Sequence, residues 1–302
     1  MNSNHDHFSG FKSGFAAIAG APNVGKSTLL NRLIGEKISI TSQKPQTTRN
    51  RILGVMHGEN SQIVFLDTPG VHASDKIFNQ RIVQIALSAM DEVDLILVVI
   101  DASSPDPKSE SMIVEKLKKR PGTPALLAIN KIDLVDKPSL LRIIDKWTRL
   151  YPAFEEIVPI SALDGTQVDR LTGAMRDLLS FGPPYFPEDA LTDMPERFIV
   201  CEMVREKVFE NTGQEVPYGT AVTIEDFSED ENIIRIHAAI HVERDSQKGI
   251  IIGKKGEMLK TIGTTARMDI EKLLGTKVFL KLFVRVEKNW SRDAKAIRKL
   301  GY

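Results

Sequence analysis

Between residues 15 and 180, short apolar runs alternate with longer stretches in which apolar positions recur every three or four residues. The short runs predict strands over 15–19, 52–56, 63–66, 95–100, 125–129 and 157–160. The amphipathic stretches predict helices over 78–90, 109–119, 140–150 and 168–179. Continuous apolar strands alternating with helices predict an α/β domain with a mainly parallel sheet covered on both faces. The pattern stops at "FGPPYFPEDALTDMPE", residues 181–196, whose four prolines and missing periodicity predict a linker. Beyond it the pattern predicts a helix over 197–209, strands over 221–226 and 233–242, a short helix ending in "GIII", a helix over 258–274 and an alternating strand over 278–286. That order, helix-strand-strand-helix-helix-strand, is a separate α+β domain. The expected division is a flexible N-terminus over 1–12, a first domain over 13–181, a linker over 182–195, and a second domain over 196–302 that includes a C-terminal helix.

Composition agrees with two folded domains. The 302 residues are 42% hydrophobic and 26% charged, which supplies real cores and excludes a disordered chain. The single cysteine, Cys201, excludes an internal disulfide and a multi-cysteine zinc site, and it reads as a small helix residue in a reducing compartment. "MNSNHDHFSG" has neither the basic start nor the apolar run of a signal peptide. The run "LILVVI" is far short of the ~20 apolar residues of a membrane span. A soluble intracellular protein is expected.

The first candidate site is "GAPNVGKS", residues 20–27, set between a strand and a helix. Gly20, Ala21, Pro22, Asn23, Val24 and Gly25 form a loop whose N–H groups can turn inward on phosphates. Lys26 would reach the β- and γ-phosphates, and the Ser27 hydroxyl would bind Mg²⁺. The helix beginning near Thr28 adds its positive end. "DTPG" follows forty-one residues after Lys26, at a strand end. Asp67 there can hold the magnesium shell, with Thr68 and Pro69 shaping the turn, and Gly70 can give its N–H to the γ-phosphate. "NKID" supplies Asn130, Lys131 and Asp133. A carboxylate at Asp133 accepts from both N1–H and the 2-amino group of guanine; adenine offers neither donor, so GTP is selected over ATP. Ser161, Ala162 and Leu163, after another strand, can complete the base pocket through backbone N–H groups.

A second candidate lies in "KGIIIGKKGEMLKTIG". It lacks the Lys-Ser pair and partner aspartate of a nucleotide loop. Gly253 and Gly256 instead bracket Lys254 and Lys255 between two helices, the arrangement with which KH domains clamp about four nucleotides of single-stranded nucleic acid. Lys248 and Ile252 flank the loop, and Ile250, Ile251, Ile252 and Ile262 are candidate groove residues, most of which must also serve the core. Charge supports this over a plain turn. Residues 195–247 carry 5 Lys+Arg against 12 Asp+Glu, a net of −7, whereas 248–302 carry 14 against 5, a net of +9. His237 and His241 share a strand face, about 13 Å apart, too far for one metal ion, and read as structural.

The four nucleotide motifs resemble translation-factor-like GTPases in order and spacing. The resemblance implies a first-switch threonine that binds Mg²⁺ only with GTP; of Thr47 and Thr48, Thr48 beside Arg49 is the choice by analogy. Where Ras-like GTPases place a water-orienting glutamine, this chain has Val71, so slow intrinsic hydrolysis is expected. GTPases of this kind, with an asparagine in the loop, use K⁺ beside the phosphates, which makes Asn23 a candidate ligand for that ion; its alternative role is to stabilise the loop turn. Lys26, Asn23, Thr48 and Gly70 are thus the expected catalytic set. His72 is a conceivable base or a bystander.

With "ITSQKPQTTRNRILG", "SALDG" and "LGY", the whole chain resembles the Era-like GTPases. That resemblance implies a P-loop GTPase domain followed by a type II KH domain, with GTP/GDP, Mg²⁺ and K⁺ as ligands. It further implies binding to small-subunit (16S) ribosomal RNA near its 3′ end, a role in 30S assembly under GTP control, and stimulation by RNA. A cytoplasmic monomer with peripheral contact to the inner membrane is expected. The segment "NWSRDAKAIRKLGY" reads as an amphipathic helix whose Trp290, Ala294, Ile297 and Leu300 pack on the second domain rather than on lipid.

Overall fold

The computed structural model describes residues 10–42, 44, 48–50, 52–71, 77–213 and 215–301. The chain divides into two compact units, residues 1–39 with 48–193, and residues 40–47 with 194–302.

The first unit is a six-stranded sheet in the order β2-β3-β1-β4-β5-β6. Its strands are β1 (Lys12–Ala19), β2 (Ile52–Gly58), β3 (Ser61–Asp67), β4 (Leu95–Asp101), β5 (Ala125–Asn130) and β6 (Glu156–Pro159). Only β2 runs antiparallel, against β3. The strands of "LILVVID" and "ALLAIN" are buried along their whole length, which is why they read as unbroken apolar runs. Five helices follow: α1 (Lys26–Ile34), α2 (Ile77–Ser88), α3 (Pro107–Lys118), α4 (Lys137–Leu150) and α5 (Val168–Leu178). Asp106 and Asp136 cap α3 and α4, each accepting from the N–H of a serine three residues on. Parallel strands present their carboxyl ends together, so the loops after β1, β3, β5 and β6 gather on one side.

Two expected boundaries shift. Lys12 already belongs to β1. Residues 182–193, expected as a linker, lie along the first unit instead. Val55 N–H donates to Leu191 O (2.8 Å), and Thr192 Oγ1 donates to Leu53 O (2.6 Å). Gln62 holds Tyr185, Phe186 and the Phe186 carbonyl, and the Tyr185 ring tilts over Phe15 at 4.8 Å. The physical reason is the edge of the sheet: β2 presents unpaired backbone groups, and this strap satisfies them.

The second unit has α6 (Glu196–Asn211), β7 (Ala221–Asp230), β8 (Ile233–Val242), α7 (Asp245–Ile252), α8 (Glu257–Leu274), β9 (Lys277–Val286) and α9 (Ala294–Lys299). Its sheet runs β7-β8-β9, with β7 antiparallel and β9 parallel to β8. One face of the sheet, with Ile236, Ile240 and Val278, packs on Val204, Ile251, Ile262 and Ala266 of the helices. β7 runs four residues beyond its expected end, because the polar "SED" still pairs with β8 after a bulge at Glu225. Residues 40–47 were expected in the first domain; within the second unit Thr41 N–H donates to Glu206 Oε1 (2.8 Å).

Trp290, Ile297 and Leu300 are buried, and the Trp290 indole N–H donates to Gly219 O (3.0 Å), so this side of the C-terminal segment packs inside the unit as expected. Burial pushes the Cys201 thiol up to about 12, leaving it inert. The Thr223 hydroxyl meets His241 Nε2 at 2.8 Å, and burial lowers the pKa of that imidazole. Among the described residues no helix is long and apolar enough to cross a membrane.

Candidate nucleotide site and nucleic-acid interface

The loop of residues 20–25 turns from β1 into α1 through two residues at positive φ, Asn23 (64°) and Gly25 (96°). No side chain caps α1, so its first N–H groups remain available to an anion. A Cβ on Gly25 would lie 2.2 Å from Asn130 Nδ2, and one on Gly20 would lie 2.4 Å from Val99 O. Only glycine admits such approaches. A Cβ on Gly70 would meet Pro22 N at 2.6 Å, and Val71 N–H donates to Gly20 O (3.0 Å), so the "DTPG" turn lies directly on the phosphate loop. Thr68 Oγ1 ties that turn to Ile18 O (2.7 Å).

Hydroxyls converge on Asp67. Its Oδ2 accepts from Ser27 Oγ (2.9 Å), Ser39 Oγ (3.0 Å) and, at 3.5 Å, Thr48 Oγ1, while Ser27 and Thr48 also meet at 2.9 Å. The other oxygen, Oδ1, is buried and has no hydrogen-bond partner among the described residues. Burial pushes the Asp67 carboxyl above its usual range, against the pull of Lys26 and the three hydroxyls. Lys26 is also buried; its ammonium donates to the Gly20 and Ala21 carbonyls (3.1 and 2.8 Å), and burial lowers its pKa to about 8. A buried carboxylate oxygen without a donor beside two hydroxyls suits a hard divalent cation. A buried ammonium beneath an uncapped helix end suits phosphate. The residues present therefore fit Mg²⁺ and a nucleotide triphosphate.

Of the expected magnesium set, Ser27, Thr48 and Asp67 come together; Ser39 joins them without having been anticipated. Thr47 and His72 lie outside the described residues. Val71 is wholly buried in the apolar core, so nothing at that position meets a water. Asn23 is exposed on the loop.

Asn130 spends both ends of its amide inside the protein. Nδ2 donates to Val24 O (2.7 Å) and Oδ1 accepts from Ala162 N–H (2.9 Å), joining three loops at one point. The Ala162 N–H expected for the base is thus engaged within the protein. Lys131 is at φ 64° and pairs with Asp101 (2.5 Å), whose other oxygen holds Ser103. Asp133 stands exposed in a 3-10 turn, Ser161 is buried, and Leu163 is exposed. Arg32, from α1, donates through Nε to Ala162 O (3.2 Å) and through Nη2 to Leu163 O. Nothing in the spacing of Arg32 marks it for that role; it reads as an ordinary basic residue in the last helical turn.

In the second unit, α7 ends at Gly253 (φ 70°, ψ 179°), a conformation almost confined to glycine, and a Cβ there would lie 2.6 Å from the Met258 Cβ. Lys255 (φ 52°) and Gly256 (φ 82°) complete the turn into α8. Lys254 and Lys255 are exposed, and Lys248 and Ile252 are half-buried beside them. Ile251 and Ile262 are core residues, so of the candidate groove isoleucines only Ile250 and Ile252 have surface to offer.

A phosphate loop on a mainly parallel sheet with a guanine-type base motif, followed by a type II KH domain, defines a two-domain GTPase. A family described as 50S ribosome-binding GTPase matches residues 15–131, and the KH domain family matches residues 215–291. GTPase Era of Geotalea uraniireducens is 55% identical over 97% of this chain and 98% of its own length. GTPase Era of Leuconostoc citreum is 50% identical over 97% of each. The crystal structure of Era in complex with MgGDPNP and nucleotides 1506–1542 of 16S ribosomal RNA superposes with a TM-score of 0.93, at 43% identity, over 97% of this chain and 99% of that one. An Aquifex aeolicus Era variant bound to GDP·AlF4⁻ gives 0.92 at 42% identity, with the same coverage. The chain belongs to the Era family of GTPases.

Proposed function

We propose that this GTPase is a Mg²⁺-dependent switch that binds 16S ribosomal RNA near its 3′ end through the KH domain and acts in assembly of the 30S subunit. The observation that carries the switch is the convergence of Ser27, Ser39 and Thr48 on one Asp67 oxygen while the other oxygen has no partner. Ser27, Thr48 and Asp67 would hold Mg²⁺, which neutralises charge on the β- and γ-phosphates. Lys26 and the loop N–H groups bind the phosphates, Gly70 gives its N–H to the γ-phosphate, and Asp133 reads guanine. Loss of the γ-phosphate removes the reason for Thr48 to stay at the site, which gives the chain two states. The small subunit rather than the 50S is favoured by the near-complete similarity to an Era bound to 16S RNA.

Hydrolysis is slow, near the ~10⁻⁴ s⁻¹ of an unassisted small GTPase, because Val71 cannot orient water. K⁺ held by Asn23 and RNA on the Gly253–Gly256 loop raise it. The chain acts as a cytoplasmic monomer. Its peripheral membrane contact does not use the apolar side of residues 290–300, since Trp290, Ile297 and Leu300 are buried. The test is the affinity for a 16S 3′-end RNA with a non-hydrolysable GTP analogue and with GDP. Tighter binding in the GTP-like state is expected; equal affinities would remove the switch.

A further inference from the structure

Helices α6, α7 and α8 pack on one face of the second unit's sheet. On β9 the residues with even numbers, Val278, Leu280, Leu282, Val284 and Val286, face the apolar core. The odd positions turn the other way and read Lys277, Phe279, Lys281, Phe283 and Arg285. Cations thus alternate with two aromatic rings along one strand face, the rings about 13 Å apart. Phe279 is 45% exposed, although a phenylalanine there serves no core. His237, from the adjoining strand, sits between the two rings edge-on, its centroid 6.5 Å from Phe279 and 6.2 Å from Phe283. The rings are therefore braced from the side by His237, and each carries a cation over one face. Lys281 lies 5.0 Å from the Phe283 centroid, and Arg235 lies 5.8 Å from that of Phe279.

The charge distribution selects an occupant. Arg235 and Arg285 are answered by Asp230 and Glu225. Among the described residues Lys277 and Lys281 have no acidic partner. Of the acidic residues on this face, Glu225, Asp226 and Asp230 lie on β7, at the opposite edge of the sheet, and Glu287, just past β9, is paired with His241 and Lys299. Partnerless lysines are a poor core for a protein contact, where lysine is depleted. Aromatic side chains interleaved with cations are the platform on which single-stranded bases stack while phosphates track the positive charge.

From this we infer that the outer face of β9 is a second RNA-binding surface, on which bases of a single strand stack at Phe279 and Phe283 and phosphates meet Lys277 and Lys281. It lies on the face of the sheet opposite α6, α7 and α8, whereas the Gly253–Gly256 loop joins α7 to α8, and it rests on the proposal that this chain binds RNA.

Fluorescence anisotropy with two unstructured RNAs tests it in the full-length chain: a tetramer, long enough only for the glycine loop, and a 20-mer. Phe279→Ala/Phe283→Ala should weaken the 20-mer about 5- to 150-fold, the equivalent of ~1–3 kcal/mol of stacking, and leave the tetramer unchanged. Phe279→Trp should retain 20-mer binding, and Lys281→Glu should lower the slope of log affinity against log salt by about 0.7 or more. Unchanged 20-mer binding in the double variant overturns the inference, as does equal weakening of both RNAs, which would mark a general loss of fold. If Lys281→Glu leaves the salt slope intact, the inference also fails. A native chain that binds neither RNA at low salt overturns the RNA reading itself.

Discussion

Asp67 and Lys26 hold opposite charges in a buried site and neither is fully answered by protein. Burial holds Lys26 near 8 in the nucleotide-free chain, and phosphate must raise it, because the ammonium is the form that binds. Binding of Mg·GTP then takes up a proton above pH 8. Affinity should fall about tenfold per pH unit as pH rises through that region, with matching proton uptake in titrations in buffers of different ionisation heat. A flat affinity between pH 7 and 9.5 would show that Lys26 stays charged without nucleotide. In the proposed function Asp133 reads the guanine base. It is exposed, and Asp133→Asn should weaken GTP about 100-fold or more by losing two charge-assisted acceptors. The same change should improve xanthosine triphosphate, whose base offers an acceptor where guanine has its amino group, and competition binding reads both.

Elements determine how well these residues are aimed. Helix α1 supplies Lys26 and Ser27 at its start and Arg32 in its last turn, where Arg32 holds the Ala162 and Leu163 carbonyls. Arg32→Ala should therefore speed GDP release about 10-fold or more while leaving the thermal midpoint within a few degrees. Stopped-flow release of a fluorescent GDP measures it. The turn between α7 and α8 makes a different prediction. Gly253→Ala meets both a glycine-only conformation and the Met258 Cβ, so it should cost about 1–3 kcal/mol and raise amide exchange in the first turn of α8. Gly256→Ala has open space, and only its positive φ opposes it, so its cost should be smaller. Equal effects of the two substitutions would mean that the close approach at Gly253 is unimportant.

At the scale of the whole molecule, most of the architecture was legible because its signals are local. Buried parallel strands read as unbroken apolar runs, and the alternation of β9 announced a half-covered sheet. The phosphate, magnesium and base motifs lie at strand ends, where chain order alone brings them to one side of the sheet. Other features needed the third dimension. Ser39 sits between two buried isoleucines and looks like a minor interruption of an apolar run until Asp67 is found beneath it. The strap of residues 185–192 reads as part of a proline-rich linker, because its partners, backbone groups of β2 and the Gln62 side chain of β3, lie far away in sequence and leave no local pattern. Ile251 and Ile262 are indistinguishable by type from Ile250 and Ile252, and only the packing of α7 and α8 assigns them to the core.

In the proposed function one chain hydrolyses GTP at the first site in response to RNA at the second. GTP turnover in potassium buffer, with and without a short single-stranded RNA from the small-subunit 3′ end, tests this in the native chain and in Lys254→Asp/Lys255→Asp. RNA should accelerate the native chain alone, and replacing K⁺ by Na⁺ should slow both proteins. Turnover that RNA leaves unchanged in the native chain, with the RNA bound at the glycine loop, would contradict the proposal.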